Sequence, residues 1–177
     1  VAPAKKARRF DMQVAGHRLN YEKAMKIISQ TAEYALRAMV HLAATQIDSR
    51  EATTALTLPQ IAEATQVPIS YLSKVLQNLG RAGLVTSQRG AGGGFSLVRP
   101  PQSTSIYDVV QAVDPLQRIL ECPLGLEAHA TQLCPLHKQL DDAISHIETS
   151  FRSTTIIDLL EGTTSSVPLG FMFRKTA

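Results

Sequence analysis

The stretch Ile69–Val85, ISYLSKVLQNLGRAGLV, followed by Thr86–Val98, TSQRGAGGGFSLV, decides the fold. Leu72, Val75, Leu76 and Leu79 recur at three- and four-residue spacing, which predicts one apolar face of an amphipathic helix. The other face carries Ser70, Tyr71, Ser73, Lys74, Gln77 and Asn78. Gly83 suits the C-terminal cap, so the helix is expected from about Ser70 to Arg81–Gly83. Two short strands should follow, Leu84–Gln88 and Phe95–Val98, joined by a glycine-rich turn that bears Arg89. A helix with a hydrogen-bonding outer face and a basic hairpin directly after it has the layout of a winged helix-turn-helix. In that layout the helix enters the DNA major groove and the hairpin meets the backbone or minor groove.

Upstream, Ser29 can cap a helix reaching Thr45, with Ala32, Ala35, Leu36, Met39, Val40, Leu42 and Ala43 as its apolar face. Residues 47–57 are polar and read as a loop with at most a short strand. Pro59 fits the first turn of a helix Pro59–Thr65, and Gln66-Val67-Pro68 makes the turn into the next helix. Downstream, Pro100-Pro101 ends the wing and Ser105 caps a helix Ile106–Val113. Residues 116–135 are irregular and hold both cysteines, Cys122 and Cys134. A long helix then starts at Leu136. Its narrow seam, Leu136, Leu140, Ala143, Ile144, Ile147 and Phe151, is the kind that pairs with a partner, and a twofold homodimer is the expected result. Thr155 with Asp158 marks the start of a last helix, Ile156–Leu160. The fold class is therefore mainly α with a small β wing. Five segments are expected: a basic mobile extension 1–24, a DNA-binding unit 25–101, a short helix with a cysteine-bearing sensor loop 102–135, a dimerisation helix 136–161 and a loose tail 162–177.

Charge follows this division. The net +3 of 177 residues splits into +4 over residues 1–24, +3 over 25–102, −6 over 103–161 and +2 over 162–177. A basic reading unit beside an acidic remainder suits a polyanion approaching from one side. With 44% apolar residues and no Trp, the core should be aliphatic. No apolar run has the length of a membrane span and no apolar signal core opens the chain, so the expected location is the cytoplasm, with no membrane partner. A reducing compartment disfavours a structural disulfide between Cys122 and Cys134, leaving metal binding, redox sensing or burial.

Four stretches together carry a family resemblance: MKIISQTAEYALRAMVHLA (25–43), LPQIAEATQVPISYLSKVLQNLGRAGLV (58–85), SQRGAGGGFSLVRP (87–100), and Cys122 with LCPLHKQL (133–140). Over about three quarters of its length the chain resembles the IscR/NsrR/CymR, or Rrf-type, family of winged-helix transcription regulators. On this resemblance Met25 stands at the usual start. The resemblance implies a homodimer on a pseudo-palindromic double-stranded operator. Candidate groove contacts are Ser70, Tyr71, Ser73, Lys74 and Gln77. Gln suits adenine, Lys suits guanine, and Ser and Tyr more often hold phosphates. Arg89 at the wing tip is expected in the minor groove, with Gly90 and Gly92, Gly93 and Gly94 allowing positive φ and close phosphate approach.

Many members of that family hold an iron–sulfur cluster through three cysteines in this region, whereas this chain has two. A [2Fe–2S] cluster takes four protein ligands. The resemblance offers His137, three residues after Cys134, and Glu33 of the partner subunit, with His129 a weaker candidate. Three readings of the cysteines stay open: a cluster sensing iron–sulfur status, nitric oxide or oxidants; a cluster-free thiol switch; and inert packing. Repression is the default outcome of binding over a promoter.

An enzyme is the main competing class. No Ser-His-Asp pattern, HExxH, paired catalytic carboxylates or nucleotide fingerprint occurs. The glycine loop lacks the Lys-Ser/Thr and following helix of a phosphate-binding loop. Asp141, Asp142 and Glu148 read as the solvated face of the long helix. A pure protein-interaction module would explain the seam and leave the basic wing unused.

Overall fold

The computed structural model describes residues 13–14, 17–18, 27–48, 55–90, 92–123, 125 and 132–161. The tail 162–177, His129, Met25 and most of the basic extension lie outside the described residues. Within the extension, where no element was expected, β1 (Gln13–Val14) pairs antiparallel with β2 (His17–Arg18), separated by two residues, the commonest hairpin connection.

The body is built on α1 (Gln30–Asp48), which packs against α2 (Leu58–Thr65), α3 (Ile69–Arg81), α4 (Ile106–Val113), α6 (Ile156–Glu161) and the wing strand β4 (Gly94–Leu97). Ser29 caps α1 as expected: its Oγ accepts the Ala32 N–H at 3.1 Å. The helix runs three residues past the expected Thr45 because Gln46, Ile47 and Asp48 contain no breaker. Small residues on its inner face, Ala32, Ala35, Ala38 and Ala43, are fully buried, so neighbouring helices approach it closely. Met39 fills the middle, with Ile61, Leu72, Val75, Leu76, Leu79, Val109 and Ile156 around it. The four leucine and valine positions that predicted α3 are all in this core.

Gln66 takes the left-handed conformation (φ 56°) that ends α2 and lets the chain turn through Pro68 into α3. The end of α3 is a Schellman arrangement: Gly83 (φ 69°) donates to the Gly80 carbonyl and Leu84 to the Leu79 carbonyl, both at 3.0 Å. Buried Leu84 belongs to this cap and not to the strand, so β3 is Val85–Gln88. It pairs antiparallel with β4, Gly94–Leu97, in the register Val85–Leu97 to Gln88–Gly94. The loop expected over 47–57 contributes a third short arm: Leu56 exchanges both backbone hydrogen bonds with Phe95, at 2.9 and 2.8 Å.

After a single 3-10 turn, Pro101–Ser103, Ser105 caps α4 and Asp108 reciprocates. The long helix α5 is Pro135–Ser153, and its end returns to the body through Ile106 N–H to Thr154 and Ile156 N–H to Thr104 backbone bonds, both 2.9 Å. Thr155 and Asp158 cap α6 as expected. Arg152 lies over the Tyr107 ring, 3.4 Å from its centroid, and clamps the C-terminal turn of α5 to α4. No residue of α5 is fully buried. No helix among the described residues is long and apolar enough to cross a membrane.

Candidate nucleic-acid interface and cysteine site

The core contacts of α3 dictate what its other face offers. With Leu72, Val75, Leu76 and Leu79 held inward, Ser70, Ser73, Lys74 and Gln77 project outward and are exposed, while Asn78 is half-buried. Tyr71 is 57% exposed, yet its ring is not free. It meets the Tyr34 ring edge-on, centroids 6.2 Å apart and planes at 69°, and Tyr34 in turn accepts a 2.8 Å hydrogen bond from the Gln30 amide. The first turn of α3 is thereby tied to the first turn of α1, a link that spacing alone gave no sign of.

In the wing, Arg89 and Gly90 are exposed at the tip directly after β3. Gly90 (φ 101°) and Gly92 (φ 79°) take backbone conformations that L side chains rarely adopt. Gly93 and Gly94 do not have positive φ, contrary to the expectation for all four. They are glycine for space: a Cβ on Gly93 would lie 2.3 Å from the Gln88 carbonyl oxygen, and one on Gly94 2.5 Å from that of Leu56. The crossing of the Leu56 arm, missed in the sequence, creates the second restriction.

Cys122, Cys134 and His137 come together. The Nδ1 of His137 lies 3.3 Å from the Cys134 Sγ and 3.8 Å from the Cys122 Sγ. Cys134 is the residue before the first turn of α5, so His137, one turn on, faces back to it. Cys122 arrives from the irregular segment, which an ion cluster holds against α5. The Arg118 guanidinium donates two 2.6 Å hydrogen bonds to the Asp141 carboxylate and approaches Glu148 at 3.4 Å; the Ile119 N–H also donates to Asp141, at 2.9 Å. The expected solvated acidic face is thus corrected. Asp141 and Glu148 are half-buried anchors for the loop, and only Asp142, paired with Lys138 at 2.8 Å, stays near solvent. The Arg118 hydrogen bonds hold the Asp141 carboxyl down at about 2.

Glu33 does not join this group within the protomer. It is ion-paired with Arg37 one turn later, and Arg37 also donates to the Thr65 carbonyl. Burial pushes the Glu33 carboxyl up and the Arg37 guanidinium down, each away from its charged form, and the ion pair between them opposes that cost. Two thiols and one imidazole are one donor short of the four protein ligands of a [2Fe–2S] cluster. Among the described residues no three His, Cys, Asp or Glu side chains are arranged to take a metal ion. Among the described residues, the donors of one protomer therefore do not by themselves complete a cluster.

Two apolar residues of α5 are exposed, Leu136 (64%) and Leu140 (47%), and so is Leu120 (82%) in the preceding segment. Ile144, Ile147 and Phe151 further along the seam are half-buried.

Comparison with known proteins agrees with this geometry. The family model described as Rrf2, iron-dependent transcriptional regulator, matches residues 28–162. A protein of Aquifex aeolicus (strain VF5), provisionally named an HTH-type transcriptional regulator, is 30% identical over 137 residues, covering 76% of this chain and 91% of that protein. CymR of B. subtilis, the global cysteine regulator, is similar in structure at 26% identity and TM-score 0.63, over 79% of this chain and all (100%) of that one. The oxidised form of Staphylococcus aureus CymR gives 27% and 0.59, over 80% and 100% of the two chains. T. potens IscR shares the fold at 22% identity and TM-score 0.61, over 85% and 99%. An outward helix, a glycine-shaped wing and a match spanning nearly all the described helices lead to one conclusion: the chain belongs to the Rrf2 family of DNA-binding transcriptional regulators.

Proposed function

We propose that the protein is a homodimeric, sequence-specific repressor whose grip on a pseudo-palindromic operator is adjusted at its cysteine site. The observation that carries this is the outer face of α3, polar and exposed at Ser70, Ser73, Lys74 and Gln77, beside the exposed wing tip Arg89–Gly90. In each half-site α3 lies in the major groove, Lys74 and Gln77 read base edges, and Ser70, Ser73 and the Tyr71 hydroxyl hold phosphates. Arg89 reaches the minor groove, and the backbone at Gly90, Gly92 and Gly93 lies against the sugar-phosphate chain. On this reading DNA is read by 25–101, sensing falls to the loop in 102–135 and subunits pair through 136–161. The second copy seats on Leu136, Leu140, Ile144, Ile147 and Phe151, which no part of the described protomer fully covers.

For sensing, the contact of both thiols with one imidazole favours chemistry of the thiols themselves. A cluster needs a fourth donor beyond Cys122, Cys134 and His137. Glu33 of the partner subunit could serve only after leaving its Arg37. Visible absorption and iron content of anaerobically purified protein separate the two: iron with charge-transfer bands establishes the cluster, and their absence leaves the thiols. No enzymatic step is assigned to any residue. The DNA-reading proposal is tested with a duplex enriched from a random library. Binding should fall steeply with added salt as phosphate counterions are released. Lys74→Ala and Arg89→Ala should each weaken it by roughly 1–3 kcal/mol; undiminished affinity in both would remove α3 and the wing from the interface.

A further inference from the structure

The helix α3 begins at Ile69, before the first residue of its polar face, with Pro68 as the residue preceding the first turn. Ile69 is 52% exposed, whereas the apolar residues of the same helix that build the core are at most 2% exposed. Its large apolar neighbour Tyr71 is exposed to a similar degree but is ring-packed on Tyr34. Ile69 lies one turn before exposed Ser73 on the same side of the helix, adjoining Ser70. Side chains of a helix tilt toward its N-terminus, so this one projects past the helix end. A β-branched residue is stiff at χ1, and little rotamer freedom is lost when such a side chain is covered. The remaining outward residues of the turn are hydroxyl- or ammonium-bearing and recognise hydrogen-bonding edges or phosphates. None is suited to the one apolar feature of the major groove, the thymine 5-methyl group.

We propose that Ile69 is a specificity-determining residue that reads a thymine methyl in the operator half-site. The inference rests on α3 being the operator-reading helix. Residues near the N-terminus of such a helix are among those that reach base edges. Ile69 then adds to the polar contacts of Lys74 and Gln77 a contact that hydrogen bonding cannot make, and it distinguishes thymine from uracil and from cytosine.

The test replaces thymines one at a time by deoxyuridine in the duplex enriched by the full-length protein, which removes the methyl and leaves every hydrogen-bonding group. One position per half-site should bind wild type about fourfold more weakly, the factor equivalent to ~0.8 kcal/mol for one buried methyl-sized group. Ile69→Ala should bind the thymine and uracil duplexes equally. Ile69→Val, which keeps a branched methyl, should restore part of the preference. Circular dichroism of Ile69→Ala should match wild type, because the side chain lies outside the core. A uracil penalty absent from wild type at every position overturns the proposal, as does a penalty that persists unchanged in Ile69→Ala. Loss of the dimer in Ile69→Ala also overturns it, by assigning the side chain to a subunit contact. If wild type enriches no duplex at all, the operator-reading assignment of α3 fails, and the role of Ile69 falls with it.

Discussion

Gly93 and Gly94 show how a single residue type answers two different demands within one turn. Gly90 and Gly92 are required by backbone angle, whereas Gly93 and Gly94 are required by space against the Gln88 and Leu56 carbonyls. The first demand is visible in a glycine-rich turn between strands. At Gly94 the second depends on Leu56, nearly forty positions earlier in the chain, and no local pattern encodes it. Gly93→Ala should open the hairpin tip, because the obstructing Gln88 and Gly90 carbonyl oxygens are backbone and cannot step aside cheaply. Faster amide exchange at Gln88 and Gly93, with weaker operator binding and a melting temperature close to wild type, is the expected outcome. Protection equal to wild type would show that the tip tolerates the methyl. Cys122, Cys134 and His137 were legible as a set only through the family resemblance, and their meeting at one nitrogen comes from the tertiary path of the loop. Glu33 is expected as a ligand only from the partner subunit; within its own protomer it pairs with Arg37, four residues later on the same helix.

Among elements, α5 departs most from what its charges suggested. Its apolar seam was legible from spacing, and in the structure the seam is left without full cover. Replacing Ile144 and Leu140 together by Asp should place charges in the subunit contact, and sedimentation equilibrium should then show monomers whose helix content is retained. A dimer that survives would move the contact elsewhere. The acidic side of α5 was misread because Arg118 lies more than twenty positions upstream, in a segment with no period. The Asp141 carboxyl, ordinarily near 3.8, is held at about 2 by that guanidinium. A carboxyl depressed in the folded state binds its proton more readily when unfolded. The clamp therefore stabilises fully above about pH 4, and its contribution is lost as pH falls toward 2. Asp141→Asn should lower the melting temperature at pH 7 and converge on wild type near pH 2. Equal melting temperatures at pH 7 would show that the clamp does not hold the loop.

In the whole molecule, α1 is the shared wall on which α3, the wing strand, α4 and α6 all lean. The alanines of its inner face and Met39 make the contact surface for α3, so the position of the reading face is set by core packing. Leu76→Ala, at a 1% exposed position on α3, should cost about 2–5 kcal/mol of stability by denaturant unfolding and weaken operator binding without removing any DNA-facing group. A loss under 1 kcal/mol would mean that the core collapses around the void. By itself the amino-acid sequence determined the helices, their caps at Ser29, Ser105 and Thr155, the inward and outward sides of α3, and the wing, because each depends on neighbours within a turn or on strand alternation. Only the tertiary structure decided the third arm at Leu56, the Arg118 clamp, the Tyr34–Tyr71 contact and the convergence of the thiols on His137. These contacts join residues from separate elements, and which atoms meet there follows from how the elements pack on α1 and α5.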